Sequence, residues 1–161
     1  MEIKVKTRHS QYALDFSGKF NFLLGKSGTR KTLLVTILSR WVSGTIASNS
    51  CKIILNGLRL TKDNVIVLTN GINVVGDYHD LFRCSGKLIV LDESSPLLKE
   101  KDISQVLKES NNYFLIISRT VFGWLPISVD SIYRLTVTNG LIVNEPVYCR
   151  SNNELKELYD N

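Results

Sequence analysis

The stretch that decides the fold is a loop with two glycines, Gly25-Lys26-Ser27-Gly28-Thr29-Arg30-Lys31-Thr32. Residues 20–24 before it read Phe-Asn-Phe-Leu-Leu and predict a strand. After it, apolar side chains recur at a spacing of four up to Val42, which predicts a helix with one apolar stripe. This order of strand, loop and helix collects backbone N–H groups at a helix N-terminus. Such a loop binds phosphate, because the N–H groups and the helix dipole both favour an anion.

The loop has the form of a Walker A motif, Gly-x-x-x-x-Gly-Lys-Ser/Thr. In that motif, the backbone of the whole stretch from Gly25 to Thr32 surrounds the phosphates. Lys31 reaches the β- and γ-phosphates, and the hydroxyl of Thr32 ligates Mg²⁺. The sequence therefore predicts that residues 25–32, Ser27 included, bind a nucleotide.

Arg30 is the departure from this motif, because it stands where the second motif glycine belongs. That glycine lets the backbone and the phosphate approach closely. Two outcomes are open. Either Arg30 turns outward and leaves a weakened but usable loop, or it fills the site and nucleotide binding is lost.

A second motif follows about sixty residues later, where the apolar run 88–91 ends directly at Asp92 and Glu93. This is the form of a Walker B motif. Asp92 would hold Mg²⁺ through its water shell, and Glu93 would orient and deprotonate the attacking water. A strand that ends in a solvated acidic turn is the alternative interpretation, and the upstream loop favours the functional one.

The next buried strand, residues 113–117, also has a polar end, at Ser118 and Arg119. Ligands of an open parallel sheet lie at the carboxyl ends of its strands. Ser118 could then contact the γ-phosphate or the lytic water, and Arg119 could stabilise charge in the transition state. The alternatives are a strand cap for Ser118 and a surface salt bridge for Arg119.

The remaining pattern predicts one α/β domain over residues 1–161. Buried strands at 64–68, 88–91 and 113–117 alternate with helical segments, which indicates a mostly parallel sheet covered on both faces. Strands at 2–8 and 12–16, and hairpin turns at Asn56-Gly57 and Asn139-Gly140, indicate antiparallel additions near both ends. Helices are also predicted within 72–83, after Asp102 and at 153–159.

With these motifs in place, the chain resembles the P-loop NTPases of the additional-strand, catalytic-glutamate division, which includes ABC and AAA-type proteins. The matching stretches are Gly25–Thr32, Leu88–Glu93 and Phe114–Ser118. More narrowly, residues 111–119 and 125–133 look like segments of small bacterial ATP-binding proteins. The resemblance implies a three-layer sandwich, ATP and Mg²⁺ as cofactors, and a homo-oligomer or a protein partner.

Two features of that division are missing from this sequence. The Leu-Ser-Gly-Gly-Gln signature of ABC-type proteins does not occur, and no helical lid region follows the last motif. The usual route to a shared dimeric ATP site is therefore absent.

Composition narrows the function classes. The chain is 43% hydrophobic and 22% charged, which excludes a disordered or collagen-like protein. Its longest apolar runs are four residues, so we expect no membrane-spanning segment and no targeting segment. The three cysteines are widely separated and fit neither a disulfide framework nor a zinc ribbon, which indicates a cytoplasmic protein.

The net charge of +5 lies entirely in residues 1–31, which hold seven basic and two acidic side chains. Three of the seven, Lys26, Arg30 and Lys31, belong to the phosphate loop. Three others, Lys4, Lys6 and Arg8, alternate along one strand, as in a nucleic-acid-binding face or an ordinary solvated edge.

Three functions are compatible with these observations. The first is an ATP-binding protein with weak Mg²⁺-dependent ATPase activity that acts as an accessory or regulatory module. The second is a degenerate module that binds another protein, with Arg30 closing its pocket; a phage or mobile-element protein that interferes with host defence would be one example. The third is nucleic-acid binding through the basic strand.

Overall fold

The computed structural model describes residues 1–26, 28–70 and 78–148. Within these ranges there are three α-helices, α1 (Lys31–Val42), α2 (Tyr78–Phe82) and α3 (Ile103–Glu109), and three short 3₁₀ turns, at Lys62–Asn64, Pro96–Lys99 and Val129–Ser131. The same ranges hold ten strands: β1 (Glu2–Thr7), β2 (Gln11–Asp15), β3 (Phe20–Leu24), β4 (Cys51–Leu55), β5 (Leu58–Arg59), β6 (Val65–Leu68), β7 (Ser85–Asp92), β8 (Asn111–Ser118), β9 (Ile132–Thr138) and β10 (Leu141–Pro146).

All ten strands form one mixed sheet in the order β5-β4-β1-β2-β10-β9-β3-β8-β7-β6. From β9 to β6 neighbouring strands run parallel, and from β5 to β2 they run antiparallel. Strand β10 joins the two halves, because it is antiparallel to β9 and parallel to β2.

The predicted three-layer sandwich of P-loop type is wrong. In the described ranges the protein is a ten-stranded half-barrel with three short helices. Its antiparallel strands are not small additions at the ends, as predicted, but make up about half of the sheet. The physical reason is the position of α1. Its apolar stripe packs against both halves of the sheet in one core, so the antiparallel half curls over α1 and shares it with the parallel half. This core includes Ile3, Val5, Tyr12 and Ile53 from one half, Leu34, Leu38 and Trp41 from α1, and Val67, Val90 and Leu115 from the other half.

A second core covers the opposite face of the parallel half only. There α2, α3 and the turn at Pro96–Lys99 pack on strands β3, β7 and β8. Its most buried members include Phe22, Ile89, Leu91, Ile103 and Ile116. The parallel half is therefore covered on both faces, whereas the antiparallel half is covered by a described helix on its α1 face alone.

Several local predictions are confirmed. The strands predicted at 64–68, 88–91 and 113–117 correspond to β6, β7 and β8, with β6 beginning one residue later than predicted. The helix after the loop is α1, and Asp102 is the N-cap of α3. Asn56-Gly57 and Asn139-Gly140 connect β4 to β5 and β9 to β10, and all four residues have positive φ, as two-residue hairpin turns of type I′ require. The helix expected within 72–83 corresponds to α2 in its described part, and the one expected at 153–159 lies outside the described residues.

No helix in the described ranges has the length and apolar character needed to cross a lipid bilayer.

Substitution of Leu38 tests whether α1 holds the two halves together. Leu38 is 1% exposed in the core that both halves share. We expect Leu38→Ala to lower the free energy of unfolding by about 2–5 kcal/mol, because it removes buried methyl groups and leaves a cavity. Urea denaturation measures this loss. Leu33→Ala is the matched control, because Leu33 lies on the same helix but is 40% exposed. An equal loss in both variants would contradict the central role of α1.

Candidate functional site

The carboxyl ends of β3, β7 and β8 meet at one edge of the sheet. Leu24 is opposite Ser118, and Asp92 is opposite Ile117. Beyond these pairs, the N–H of Gly25 donates to the carbonyl of Ser118 at 3.2 Å, and the N–H of Glu93 donates to the carbonyl of Ile117 at 2.9 Å. The glycine loop and the acidic pair are thereby attached to the same end of β8.

A cavity of about 280 Å³ opens at this edge. Six of the candidate residues line it together with Ile117, namely Lys31, Thr32, Asp92, Glu93, Ser118 and Arg119. These six come from three separate stretches of the chain, each selected from sequence for phosphate or Mg²⁺ chemistry. The structure places them around one space, with both carboxylates and both cationic side chains among them.

Lys31 is the cation inside the loop. It is 5% exposed, and its ammonium donates to the carbonyls of Gly25 and Lys26, the latter at 2.9 Å, and to Oγ1 of Thr29 at 2.9 Å. Burial lowers the pKa of Lys31, the nearby Glu93 carboxylate partly opposes this, and Arg119 adds to the lowering. Oxygen atoms of the loop thus accept hydrogen bonds from the loop's own lysine.

The approach of Lys31 depends on Gly25. A Cβ atom added at Gly25 would lie 3.0 Å from Oγ1 of Thr29 and 3.3 Å from Nζ of Lys31. A side chain at this position would therefore require the Thr29 hydroxyl and the ammonium to shift by a few tenths of an ångström. Gly28 contributes differently, because its φ of 84° is in the left-handed region that favours glycine.

Arg30 has a positive φ, a backbone conformation that normally favours glycine. It caps α1 with φ 68° and ψ 3°, and its carbonyl accepts hydrogen bonds from the N–H of Leu34 at 3.1 Å and from the hydroxyl of Tyr12 at 3.0 Å. Tyr12 is buried, and burial raises its pKa to about 12 even though the charge of Arg30 lowers it.

The side chain of Arg30 is exposed and does not line the 280 Å³ cavity. It lines a second cavity, of about 190 Å³, between the loop and the β9–β10 hairpin. Of the two outcomes left open by the sequence, this geometry corresponds to the outward one. The group that occupies the loop is Lys31.

Glu93 is held by three hydrogen bonds. Its carboxylate accepts from the hydroxyl of Ser118 at 3.0 Å, from the N–H of Arg119 at 2.8 Å and from Nε of Arg119 at 2.7 Å. Burial opposes its ionisation, but these hydrogen bonds and the Arg119 charge outweigh burial and lower the pKa of Glu93. The result is an ionised carboxylate with a low proton affinity, already engaged by protein donors.

Asp92 is hydrogen-bonded to Ser94, a residue that was not predicted from the sequence. Oδ2 of Asp92 accepts from the N–H of Ser94 at 3.1 Å and from the Ser94 hydroxyl. The same hydroxyl accepts from the N–H of Asn70 at 3.1 Å, which links the end of β7 to the end of β6. The spacing of Ser94 two residues after an aspartate is a turn signal that could have identified it. Tyr12, which holds Arg30, carried no such signal.

The donor set fits Mg²⁺ only together with a ligand. Within the described residues, His, Cys, Asp and Glu side chains form no group of three that would hold a metal ion. Thr32 and Asp92 offer one hydroxyl and one carboxylate. Mg²⁺ typically takes one or two carboxylates and completes its shell with water and substrate phosphates.

The remaining site predictions concern the loop itself. Lys26 is exposed and contributes its carbonyl to Lys31 and to the Thr29 hydroxyl. Ser27 lies outside the described residues. Comparison with protein-family models, curated proteins and solved structures finds no match for this chain, so the resemblance to P-loop NTPases has no independent support.

The left-handed conformation at Arg30 can be tested by two substitutions. Both Arg30→Ala and Arg30→Gly remove the side chain, but only glycine adopts positive φ without steric cost. We expect Arg30→Gly to exceed Arg30→Ala in unfolding free energy by about 1 kcal/mol, measured by urea denaturation. Equal stability of the two variants would show that this residue is not held in the left-handed region.

The lowered pKa of Glu93 predicts a pH-dependent contribution to stability. The contribution is full above the pKa of an unfolded glutamate, about 4.3. It is lost as pH falls through the lower pKa of the folded state, because protonation ends the charged hydrogen bonds. Urea denaturation from pH 7 to pH 3 should show Glu93→Gln less stable than wild type by about 1–2 kcal/mol at neutral pH, with the difference shrinking in acid. The control is Glu100→Gln, at an exposed carboxylate. A difference for Glu93→Gln that stays constant with pH would contradict the assignment.

Proposed function

We propose that the 280 Å³ cavity binds the triphosphate of ATP together with Mg²⁺, and that the protein hydrolyses this nucleotide slowly as an accessory or regulatory module. One observation carries the proposal. Six side chains from three distant stretches, each suited to phosphate or Mg²⁺, line a single cavity next to a glycine loop. The proposal rests on this convergence of chemistry and not on a shared fold.

Each residue has a role in the proposed complex. The backbone N–H groups of the loop and the ammonium of Lys31 neutralise the phosphates. Thr32 and, through its water shell, Asp92 would hold Mg²⁺, which would shield the charge of the phosphates. Glu93 would orient water for attack on the γ-phosphorus, which would release ADP and inorganic phosphate. Arg119 and Ser118 contact the γ-phosphate.

Two internal contacts must break before this complex forms. Lys31 has to exchange the carbonyls of Gly25 and Lys26 for phosphate oxygens. Glu93 has to release Arg119, so that the guanidinium turns to phosphate and the carboxylate to water. Both exchanges cost binding free energy. The lowered pKa of Glu93 also makes it a weak general base, which is why slow hydrolysis is proposed.

Nucleotide binding is tested by thermal unfolding of the full chain with Mg-ATP. Wild type should be stabilised, by about 2.7 kcal/mol when free ligand reaches about 100 times its Kd. Lys31→Ala should show no shift, because it removes the cation inside the loop. Lys108→Ala is the matched control and should keep the shift, because it removes an exposed lysine of α3 that does not line the cavity.

The outcome that would sink the proposal is an unchanged melting temperature of wild type in millimolar Mg-ATP. Hydrolysis is measured on the same samples as phosphate release. Glu93→Gln should bind Mg-ATP but lose phosphate release, which separates binding from chemistry. Because no aromatic side chain of the described residues lines the cavity, Mg-GTP should bind with similar affinity.

A degenerate protein-binding module is the second candidate, and one specific observation favours it. The cavity's ammonium and its partly buried carboxylate are already paired inside the protein, Lys31 with loop oxygens and Glu93 with Arg119. The charged groups of such a site have their partners without a ligand. Failure of both wild type and Arg30→Gly to respond to Mg-ATP would support this candidate over the first.

A further inference from the structure

The outer face of the antiparallel half carries a dense group of basic side chains. Along β1, β4 and β5, alternate residues point away from α1. The inward ones, such as Val5 and Ile53, are fully buried. The outward ones include Lys4, Lys6, Lys52 and Arg59, and all four are exposed.

The strand register brings these four cations together. Lys6 of β1 is directly opposite Lys52 of β4. Lys4 is opposite Ile54, and Ile54 is opposite Arg59 of β5. Residues two apart on a strand are separated by about 6.7 Å, and adjacent strands by about 4.8 Å. Arg8 lies in the turn that follows β1, next to the end of this row. We call Lys4, Lys6, Arg8, Lys52 and Arg59 the basic face.

The charges of the basic face are poorly compensated. Lys4 has one ion pair, with Glu2 at 3.5 Å. In the part of the chain that the structure describes, Lys6, Lys52 and Arg59 have no carboxylate within ion-pair distance. Like charges directly opposite on neighbouring strands are destabilising. Folding alone therefore does not favour Lys6 beside Lys52, whereas an anionic partner would.

We propose that the basic face binds the phosphate backbone of double-stranded DNA without sequence specificity. A duplex presents closely and regularly spaced charges, which match a regular lattice of cations. The residues between the cations are half-buried Ala13 and Ile54. Their small outward apolar surface does not favour insertion into a lipid surface.

A single strand fits this surface less well than a duplex. Proteins that bind single strands stack bases on aromatic side chains. The basic face has none, because Tyr12, the aromatic residue of β2, is buried on the opposite side. The proposed nucleotide cavity shares no residue with the basic face, so the two proposals stand independently.

Fluorescence anisotropy with a labelled duplex of about 20 base pairs tests the proposal on the full chain, from about 50 to 200 mM salt. For wild type, we expect log Kobs to fall with log salt at a slope near −4, since each phosphate contact contributes about 0.9. Lys6→Gln/Lys52→Gln should bind about tenfold or more weakly at the low-salt end and reduce the slope by about 2. Its melting temperature should be equal or higher, because the repulsion between the two lysines is removed.

The control is Lys101→Gln/Lys108→Gln, which removes the same charge from exposed positions at and near α3. It should retain wild-type affinity and slope. An equal loss in this control, or no duplex binding by wild type at low salt, overturns the proposal. Tighter binding to a single strand of the same length, or to phosphatidylserine vesicles, overturns it as well.

Discussion

The packing of α1 against both halves of the sheet is the interaction on which the rest of the structure depends. Leu34, Leu38 and Trp41 lie in a core to which the antiparallel and parallel strands both contribute. The antiparallel half has no other described helix on this face. Its inward side chains are therefore shielded from water only while α1 remains in place. The same packing sets the N-terminus of α1, where the buried Tyr12 hydroxyl holds the carbonyl of Arg30. The position of the glycine loop is thus a consequence of core packing.

This constraint explains why the loop tolerates charge and strain. A buried ammonium is costly unless hydrogen bonds satisfy it, and Lys31 obtains its partners from three oxygens of its own loop. A non-glycine residue at φ 68° is also unfavourable, and Arg30 is held there by bonds to its carbonyl from α1 and from β2. Any phosphate that enters must replace oxygens that already satisfy Lys31. Its affinity is set by the difference between two bound states of the lysine and not by the lysine's charge alone.

The contrast between local and global prediction has a physical origin. The glycine loop, the polar strand ends and the Asn-Gly turns were predictable because turn chemistry and hydrophobic period act over a few residues. The meeting of Lys31, Asp92, Glu93 and Ser118 followed from the parallel register of three strands. The half-barrel was not predictable, since it depends on the pairing of β2 with β10, about 130 residues apart in sequence. An apolar stripe on α1 is equally compatible with covering a flat sheet or filling a curved one. The direction of Arg30 was likewise not predictable, because Arg30 lines a cavity that the distant β9–β10 hairpin completes.

The basic side chains therefore form two groups, one in the cavity and one on the basic face, whose electric fields extend over different distances. In the cavity, the charges of Lys31 and Arg119 are balanced by the carboxylates of Asp92 and Glu93, so their field outside the site is largely cancelled. On the basic face, Lys6 and Lys52 stand side by side in solvent. Their field extends about one Debye length, roughly 8–10 Å at physiological salt. A polyanion approaching the protein responds to the second group first, because only uncancelled surface charge steers diffusional encounter. In the proposed nucleotide complex, the first group would act at contact distance, after the loop has exchanged its own oxygens for those of the phosphates.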